Sequence, residues 1–290
     1  MTESARALPT FICVGPGRAG TSWLYEVFLE HPEVCMAKGI KETQFFNENF
    51  NKGLGWYEAF FEGCGGARAK GEISNLYIFD PRVAERIKAT VPDCKILICM
   101  RNPYERIQSV YSFKLREGAL GCSFEEALKR MPELIERSRY YSLMKPFYEA
   151  FGKERIFPVF FEDIARRPLG LCRELFRFLG VDEDAVPSVI GKKVNRAIVP
   201  RFPLAAMTTK GVARLMRRMG LYWPLTRAKR SDTLKGIFFK AYDYKKEVMI
   251  GPSERALIDP VVLPELDKLE ALLGRPLTGW RPVGSGKPRG

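Results

Sequence analysis

The sequence predicts an α/β fold, a single domain with a central parallel sheet flanked by helices. Three observations carry this. Short apolar runs alternate with stretches of helical periodicity from residue 11 to residue 179. One run, Lys95–Met100, is apolar after its first residue, as expected of a central strand buried on both faces. A glycine-rich turn joins the first apolar run to the first helical stretch.

The elements follow in order. A strand at 11–14 leads to a helix at 21–30, where Trp23, Leu24, Val27 and Phe28 fall at helical spacing. A strand at 33–36 precedes the loop AKGIKETQFF. A helix at 54–61 precedes a strand at 70–73, and a helix at 81–90 precedes the strand at 95–100. Asn102, Pro103 and Glu105 supply a cap, a first-turn proline and a capping-box acid, so a helix starts there. Helices at 124–130 and 134–150, a strand at 155–161 and a helix at 168–179 complete the pattern. Ligands of such sheets bind at the carboxyl ends of the strands. The loops after 11–14 and 95–100 share that edge.

At 290 residues the chain can bury one substantial core and still carry a lid. About 10–190 reads as the core, 191–250 as a basic, mostly helical lid or substrate segment, and 280–290 as a disordered tail. Net charge is +13, and it is concentrated. From Lys192 to Lys240 there are thirteen Lys or Arg and one acid, Asp232. Apolar residues alternate with those cations, which fits a lid, an acidic-partner surface or a membrane-surface helix. No nucleic-acid motif accompanies the charge, so a nucleic-acid partner is not expected. No run of eighteen apolar residues and no apolar leader core is present, and the expected location is the cytoplasm. The seven cysteines are odd in number and lack paired spacing. Cys13, Cys94 and Cys99 are expected to act as small buried hydrophobes. There is no Cys–His metal pattern, and no metal is expected.

The chemistry concentrates in residues 11–25, FICVGPGRAGTSWLY. A strand, a glycine-rich loop and a helix start form an anion site, because loop N–H groups and the helix end both present positive charge. Gly15, Gly20 and Ser22 fit the nucleoside-triphosphate pattern G-x-x-x-x-G-K-[ST], but Thr21 stands where its lysine belongs. The loop's one cation is Arg18.

This P-loop-like stretch resembles the 5′-phosphosulfate loop of sulfotransferases that use 3′-phosphoadenosine 5′-phosphosulfate (PAPS), G-x-x-[KR]-[SAT]-G-T-[ST]-x-L. Arg101, Pro103 and Ser109 resemble the second motif of that family, and FFEDIARRPLGLCRELFRFLGV at 160–181 its late strand and docking helix. The resemblance covers about residues 10–200. It implies PAPS as co-substrate and an acceptor molecule as partner. Arg18, Ala19, Gly20, Thr21, Ser22 and Trp23 would line the 5′ end. Arg101 and Ser109 would hold the 3′-phosphate, with Lys193, Asn195 and Arg196 from the basic segment nearby. Arg18 would also neutralise charge on the leaving oxygen.

The acceptor needs a base. His31, the one histidine, sits before Pro32 at the far end of a ten-residue helix, ~15 Å from the loop, and is given a structural role. Lys41-Glu42-Thr43-Gln44-Phe45-Phe46 resembles the K-E-P-H-F-F segment of heparan-type and bacterial members, whose glutamate is the base; the role passes to Glu42. Two positions depart from the family. Thr43-Gln44 replaces Pro-His, and Ile73 occupies the place of a functional lysine; either Lys41 or Lys38 replaces it, or the acceptor is not a heparan-like polymer. Trp56, Tyr57, Phe45, Phe46 and Tyr77 are candidates for an acceptor pocket. Two other readings stay open: a kinase using Glu162-Asp163 to hold magnesium, and a non-catalytic module binding nucleotide and an anionic surface.

Overall fold

A computed structural model describes residues 7–117, 119–190 and 248–282, together with the strand backbone at 198–200 and 239–241. Five parallel strands form the sheet: β1 (Phe11–Cys13), β2 (Val34–Met36), β3 (Ala69–Ile73), β4 (Lys95–Met100) and β5 (Ile156–Phe160), in the order β2-β3-β1-β4-β5. β1 lies between β3 and β4, with Ile12 opposite both Glu72 and Ile96. Its three residues are fully buried.

The period-two alternation of strands divides the core in two. Ile12, Val14, Ile96, Ile98 and Met100 face one side. They pack with α3 (Arg82–Thr90), α5 (Phe124–Arg130), α7 (Tyr140–Phe151) and a C-terminal helix. Phe11, Cys13, Leu97 and Cys99 face the other side, with α1 (Thr21–Glu30) and α9 (Pro168–Leu179). Both faces of the sheet are therefore covered, as a parallel sheet requires.

Several elements differ from expectation. The stretch 134–150 divides into α6 (Glu133–Glu136) and α7, with Arg137–Arg139 between them. The stretch 54–61 is α2 (Leu54–Glu58) followed by a 3₁₀ turn. The fifth strand ends at Phe160, because α8 (Phe161–Arg166) starts at the next residue. The C-terminal helix, α10 (Pro252–Leu273), docks its buried Glu265 on the start of α7, accepting from the Ser142 N–H at 2.9 Å and its hydroxyl at 2.6 Å. Residues 280–282, placed in the expected tail, are described. Trp280 is buried against Tyr140 and Phe160, where its large ring removes apolar area from water. Residues 283–290 lie outside the described residues.

Of the basic segment, β6 (Ile198–Pro200) and β7 (Phe239–Ala241) pair antiparallel. The rest of that segment, including Lys193, Asn195 and Arg196, lies outside the described residues. Cys13, Cys94 and Cys99 are buried thiols. Cys35 and Cys64, however, form a disulfide. The odd count concealed this pair, which folding brings together across 29 residues. Such bonds belong mostly to oxidising compartments. No helix among the described residues is long and apolar enough to cross a membrane.

Candidate active site

The site begins where β1 ends. Gly15 has φ 101°, and a Cβ there would lie 2.4 Å from the Asn75 carbonyl oxygen. Gly20 has φ 99° and is the N-cap of α1; a Cβ there would lie 2.4 Å from Ile164 Cδ1. Conformation favours glycine at both positions, and at Gly15 the Asn75 backbone leaves no space for a Cβ either. The Trp23 and Leu24 N–H groups donate to the Gly20 carbonyl, opening the helix's own bonding. The Thr21 and Ser22 N–H groups precede those bonds, at the helix end suited to an anion.

The loop's carbonyls are drawn into the scaffold. Gly15 O accepts from the Cys99 N–H at 2.8 Å. Gly17 O accepts from Arg106 Nε at 3.2 Å, and Arg18 O from Arg101 Nη1 at 3.4 Å. Arg106 is 3% exposed, and its guanidinium also donates to Arg137 O and Ser138 Oγ. Burial lowers its proton affinity. Arg106 was not singled out in the sequence. The only available signal was its place three residues after Pro103 in a capped helix.

Arg18 and Ser109, 91 residues apart, meet: Arg18 Nε donates to Ser109 Oγ at 3.1 Å. The Arg18 guanidinium also packs on the Phe113 ring, one turn further along α4 (Pro103–Arg116). Arg101, at the end of β4, is 4% exposed. It pairs with Glu105 at 2.8 Å and stacks over Phe161 at 4.3 Å. Its N–H is fixed by the Tyr140 hydroxyl, whose pKa burial pushes up to about 12. The structure therefore gathers Arg18, Arg101 and Ser109 at one end of the loop.

Glu42 lies at the other end. Asn75 Nδ2 donates to Glu42 Oε1 at 2.9 Å, and Gln44 Nε2 to Oε2 at 3.4 Å. Lys41 Nζ sits 3.3 Å from Glu42 Oε1 and 3.3 Å from Ser22 Oγ. The loop holding Glu42 is anchored from below by Glu72, which is fully buried. Glu72 accepts from Tyr57 at 2.7 Å, Tyr77 at 2.9 Å, Ser74 at 3.0 Å and Thr43. Burial pushes the Glu72 carboxyl up against the opposing pull of those four hydroxyls. It pushes the Tyr57 and Tyr77 phenols well up too, helped by the Glu72 charge.

Other candidates settle elsewhere. Ala19 and Trp23 are buried core residues beside Leu24 and Phe28. Phe45, Phe46, Tyr57 and Tyr77 form a buried aromatic cluster around the Glu72 cage, so they are core and not pocket lining; Trp56 is partly exposed beside it. Lys38 turns away to the Glu62 carbonyl at 2.6 Å, and Ile73 is buried in the core. His31 Nε2 donates to Asp182 O at 2.9 Å while Nδ1 accepts from the Glu33 N–H, which ties the helix end to the α9 side. Glu162 Oε1 accepts from the Asn102 N–H and the Trp280 indole, and Asp163 pairs with Arg167 at 3.0 Å. Both acids have structural partners. Among the described residues, no group of three His, Cys, Asp or Glu could hold a metal.

Fold and site together define an α/β protein with an anion-binding loop at its sheet edge. Comparison with known proteins gives the family. The sulfotransferase domain model matches residues 8–209, and the chain belongs to that family. A crystal structure of a sulfotransferase from Alicyclobacillus acidocaldarius superposes with a TM-score of 0.67 at 26% identity, covering 95% of this chain and 99% of that one. The membrane-associated sulfotransferase kil1 of Dictyostelium discoideum is 30% identical over 138 residues, 44% of this chain and 29% of that protein. The mouse heparan sulfate glucosamine 3-O-sulfotransferase 3A1 is 28% identical over 190 residues, 62% of this chain and 48% of that one. The chain thus spans less than half of these two relatives.

Proposed function

We propose that this chain transfers a sulfuryl group from PAPS to a hydroxyl, in preference to an amine, of a small-molecule, sugar or lipid acceptor, in line, with Glu42 as general base. The observation that carries this reading is the joining of two anion-binding elements on one sheet edge. The glycine loop suits a 5′-phosphate, and Arg101 with Ser109, in contact with Arg18, suits a 3′-phosphate. A nucleotide bearing both groups is the ligand that would use both elements.

The residues divide the work. Thr21 and Ser22 hold the 5′ end through N–H and hydroxyl donors. Arg101, already oriented by Glu105 and Phe161, and Ser109 hold the 3′-phosphate. Arg18 is always charged and offsets negative charge growing on the leaving phosphate oxygen. Glu42, fixed by Asn75 and Gln44, takes the acceptor's proton. Catalysis then rests on positioning and electrostatics, as in phosphoryl transfer. The basic segment 192–240 would contact the bound nucleotide, and slowed hydrogen exchange there on ligand addition would register it.

Calorimetry tests the reading directly. Adenosine 3′,5′-bisphosphate should bind much more tightly than AMP or ATP. Arg101→Ala should weaken it by roughly 1.5–3 kcal/mol, the scale of a hydrogen bond to a charged group. Equal affinity for AMP and the bisphosphate would overturn the assignment.

A further inference from the structure

We infer that Lys41 is a catalytic residue whose ammonium binds the sulfuryl group in flight between the 5′-phosphate and the acceptor. The inference rests on the reading of the site as a PAPS-dependent sulfotransferase, gives Lys41 a stated task in it and excludes Lys38 from that task.

The argument is geometric. Lys41 Nζ is equidistant, at 3.3 Å, from the Ser22 hydroxyl and the Glu42 carboxylate. Ser22 belongs to the element that would hold the donor's 5′-phosphate, and Glu42 is the proposed base. In an in-line transfer the sulfuryl group moves from the leaving 5′-phosphate oxygen to the acceptor oxygen, whose proton Glu42 takes, so it passes through the space between Ser22 and Glu42. Lys41 already bridges those two places. Its side chain is 25% exposed, so the ammonium is partly shielded yet open to a ligand. Arg18, the loop's own cation, lies towards the opposite end, on Ser109 and Phe113. Lys38 is directed to the Glu62 carbonyl. The two basic side chains therefore divide the reacting centre: Arg18 serves the nucleotide side, up to the leaving phosphate oxygen, and Lys41 the non-bridging sulfuryl oxygens.

The balance of the step is simple. The bond between sulfur and the 5′-phosphate oxygen breaks, and its electron pair stays with adenosine 3′,5′-bisphosphate. A bond forms between sulfur and the acceptor oxygen, and that oxygen's proton passes to Glu42. Lys41 gains and loses no proton. Its three donors replace water around the non-bridging sulfuryl oxygens. The pairing with Glu42 keeps the ammonium in place beforehand, so little reorganisation is needed.

The test compares PAPS with adenosine 3′,5′-bisphosphate by calorimetry, in wild type, Lys41→Met, Lys41→Arg, Glu42→Gln and Glu42→Gln/Lys41→Met. Only PAPS carries the sulfuryl group. Lys41→Met should weaken PAPS by about 10- to 100-fold, the range for a charge-assisted bond, and the bisphosphate by less than about threefold. Lys41→Arg should recover most of the loss. The same selective loss should persist in the Glu42→Gln background. Equal weakening of both nucleotides would assign Lys41 to the phosphate and overturn the inference. Disappearance of the loss in the Glu42→Gln background would make Lys41 a positioning residue for Glu42, which also overturns it. A wild type that binds neither nucleotide would overturn the underlying reading, a result distinct from both. Unaltered melting temperatures show that the variants fold.

Discussion

Asn75 Nδ2 donates to Glu42 Oε1 at 2.9 Å, across 33 residues of sequence. The same asparagine lies against the phosphate loop: its backbone lies in the space a Cβ at Gly15 would need, and its side-chain amide is 3.1 Å from where a Cβ at Gly17 would sit. Asn75 is thus a wedge that sets the spacing between the glycine loop and Glu42. Asn75→Asp would place a second carboxylate beside Glu42. Two like charges that close repel, and the donor to Glu42 is lost as well. kcat should fall in Asn75→Ala, which only removes the donor, and further in Asn75→Asp, which adds the repulsion. Wild-type kcat in both variants would detach the Asn75–Glu42 contact from the rate.

Glu42→Gln keeps the size of the side chain and removes its basicity. A positioned base contributes about 10²–10⁴-fold, and kcat should fall by that factor. Affinity for adenosine 3′,5′-bisphosphate should hardly change, because the role proposed for Glu42 is toward the acceptor and not the nucleotide. Full retained turnover on the true acceptor would show that no base is needed at this position.

Much of this was legible in the sequence, for identifiable reasons. The glycine loop stood out because positive φ favours glycine at Gly15 and Gly20, and close approach requires it at Gly15. β4 stood out because both its faces are buried. The helix at Pro103 was marked by the Asn102 cap, whose side chain does accept from the Tyr104 N–H at 3.0 Å. What escaped was what only tertiary proximity creates. Asn75 is one polar residue in a loop until the sheet brings it beside Glu42. The aromatic residues near Phe45 suggested a ligand surface, yet four of them are core, because Glu72 is buried among their hydroxyls and hydroxylated neighbours. α10 carries Pro260 and Pro264 in its interior, which obscured it as a helix. Its place in the fold comes from contacts such as that of Tyr104 with Asp259 at 2.6 Å.

Arg106 bears on ligand binding without reaching the ligand end of the loop. It holds the Gly17 carbonyl at 3.2 Å and so turns that peptide's oxygen into the scaffold. Arg106→Lys keeps the charge but loses the planar fork that serves Gly17, Arg137 and Ser138 together. Stability should fall by about 1–3 kcal/mol, the cost of an unsatisfied buried polar group. Bisphosphate affinity should fall roughly tenfold with it, about 1.4 kcal/mol. If melting drops while affinity is retained, Arg106 supports the fold and not the loop.

Glu72 gives a prediction that depends on pH. Burial holds its carboxyl above the ordinary range, even with four hydroxyls donating to it. A group whose folded pKa exceeds its unfolded value stabilises the fold most when protonated. That contribution is complete below the unfolded value, about 4.3, and is lost as pH rises through the folded pKa. Glu72→Gln is permanently neutral and lacks this dependence. Its glutamine can still accept from Tyr57 or Tyr77 on one side and donate to Thr43 or Ser74 on the other, after their hydroxyls rotate. Wild type should therefore show its greatest advantage over Glu72→Gln in mild acid. The difference in melting temperature should narrow, or reverse, as pH is raised towards neutrality. Glu72→Ala should be destabilised at every pH, because it leaves the hydroxyls of Tyr57, Tyr77, Thr43 and Ser74 without their shared acceptor. Thr43 directly follows Glu42, so a loosened cage should also lower kcat in the alanine variant more than in the glutamine one. Parallel melting curves for wild type and Glu72→Gln across pH would show that the carboxyl does not titrate differently in the folded chain.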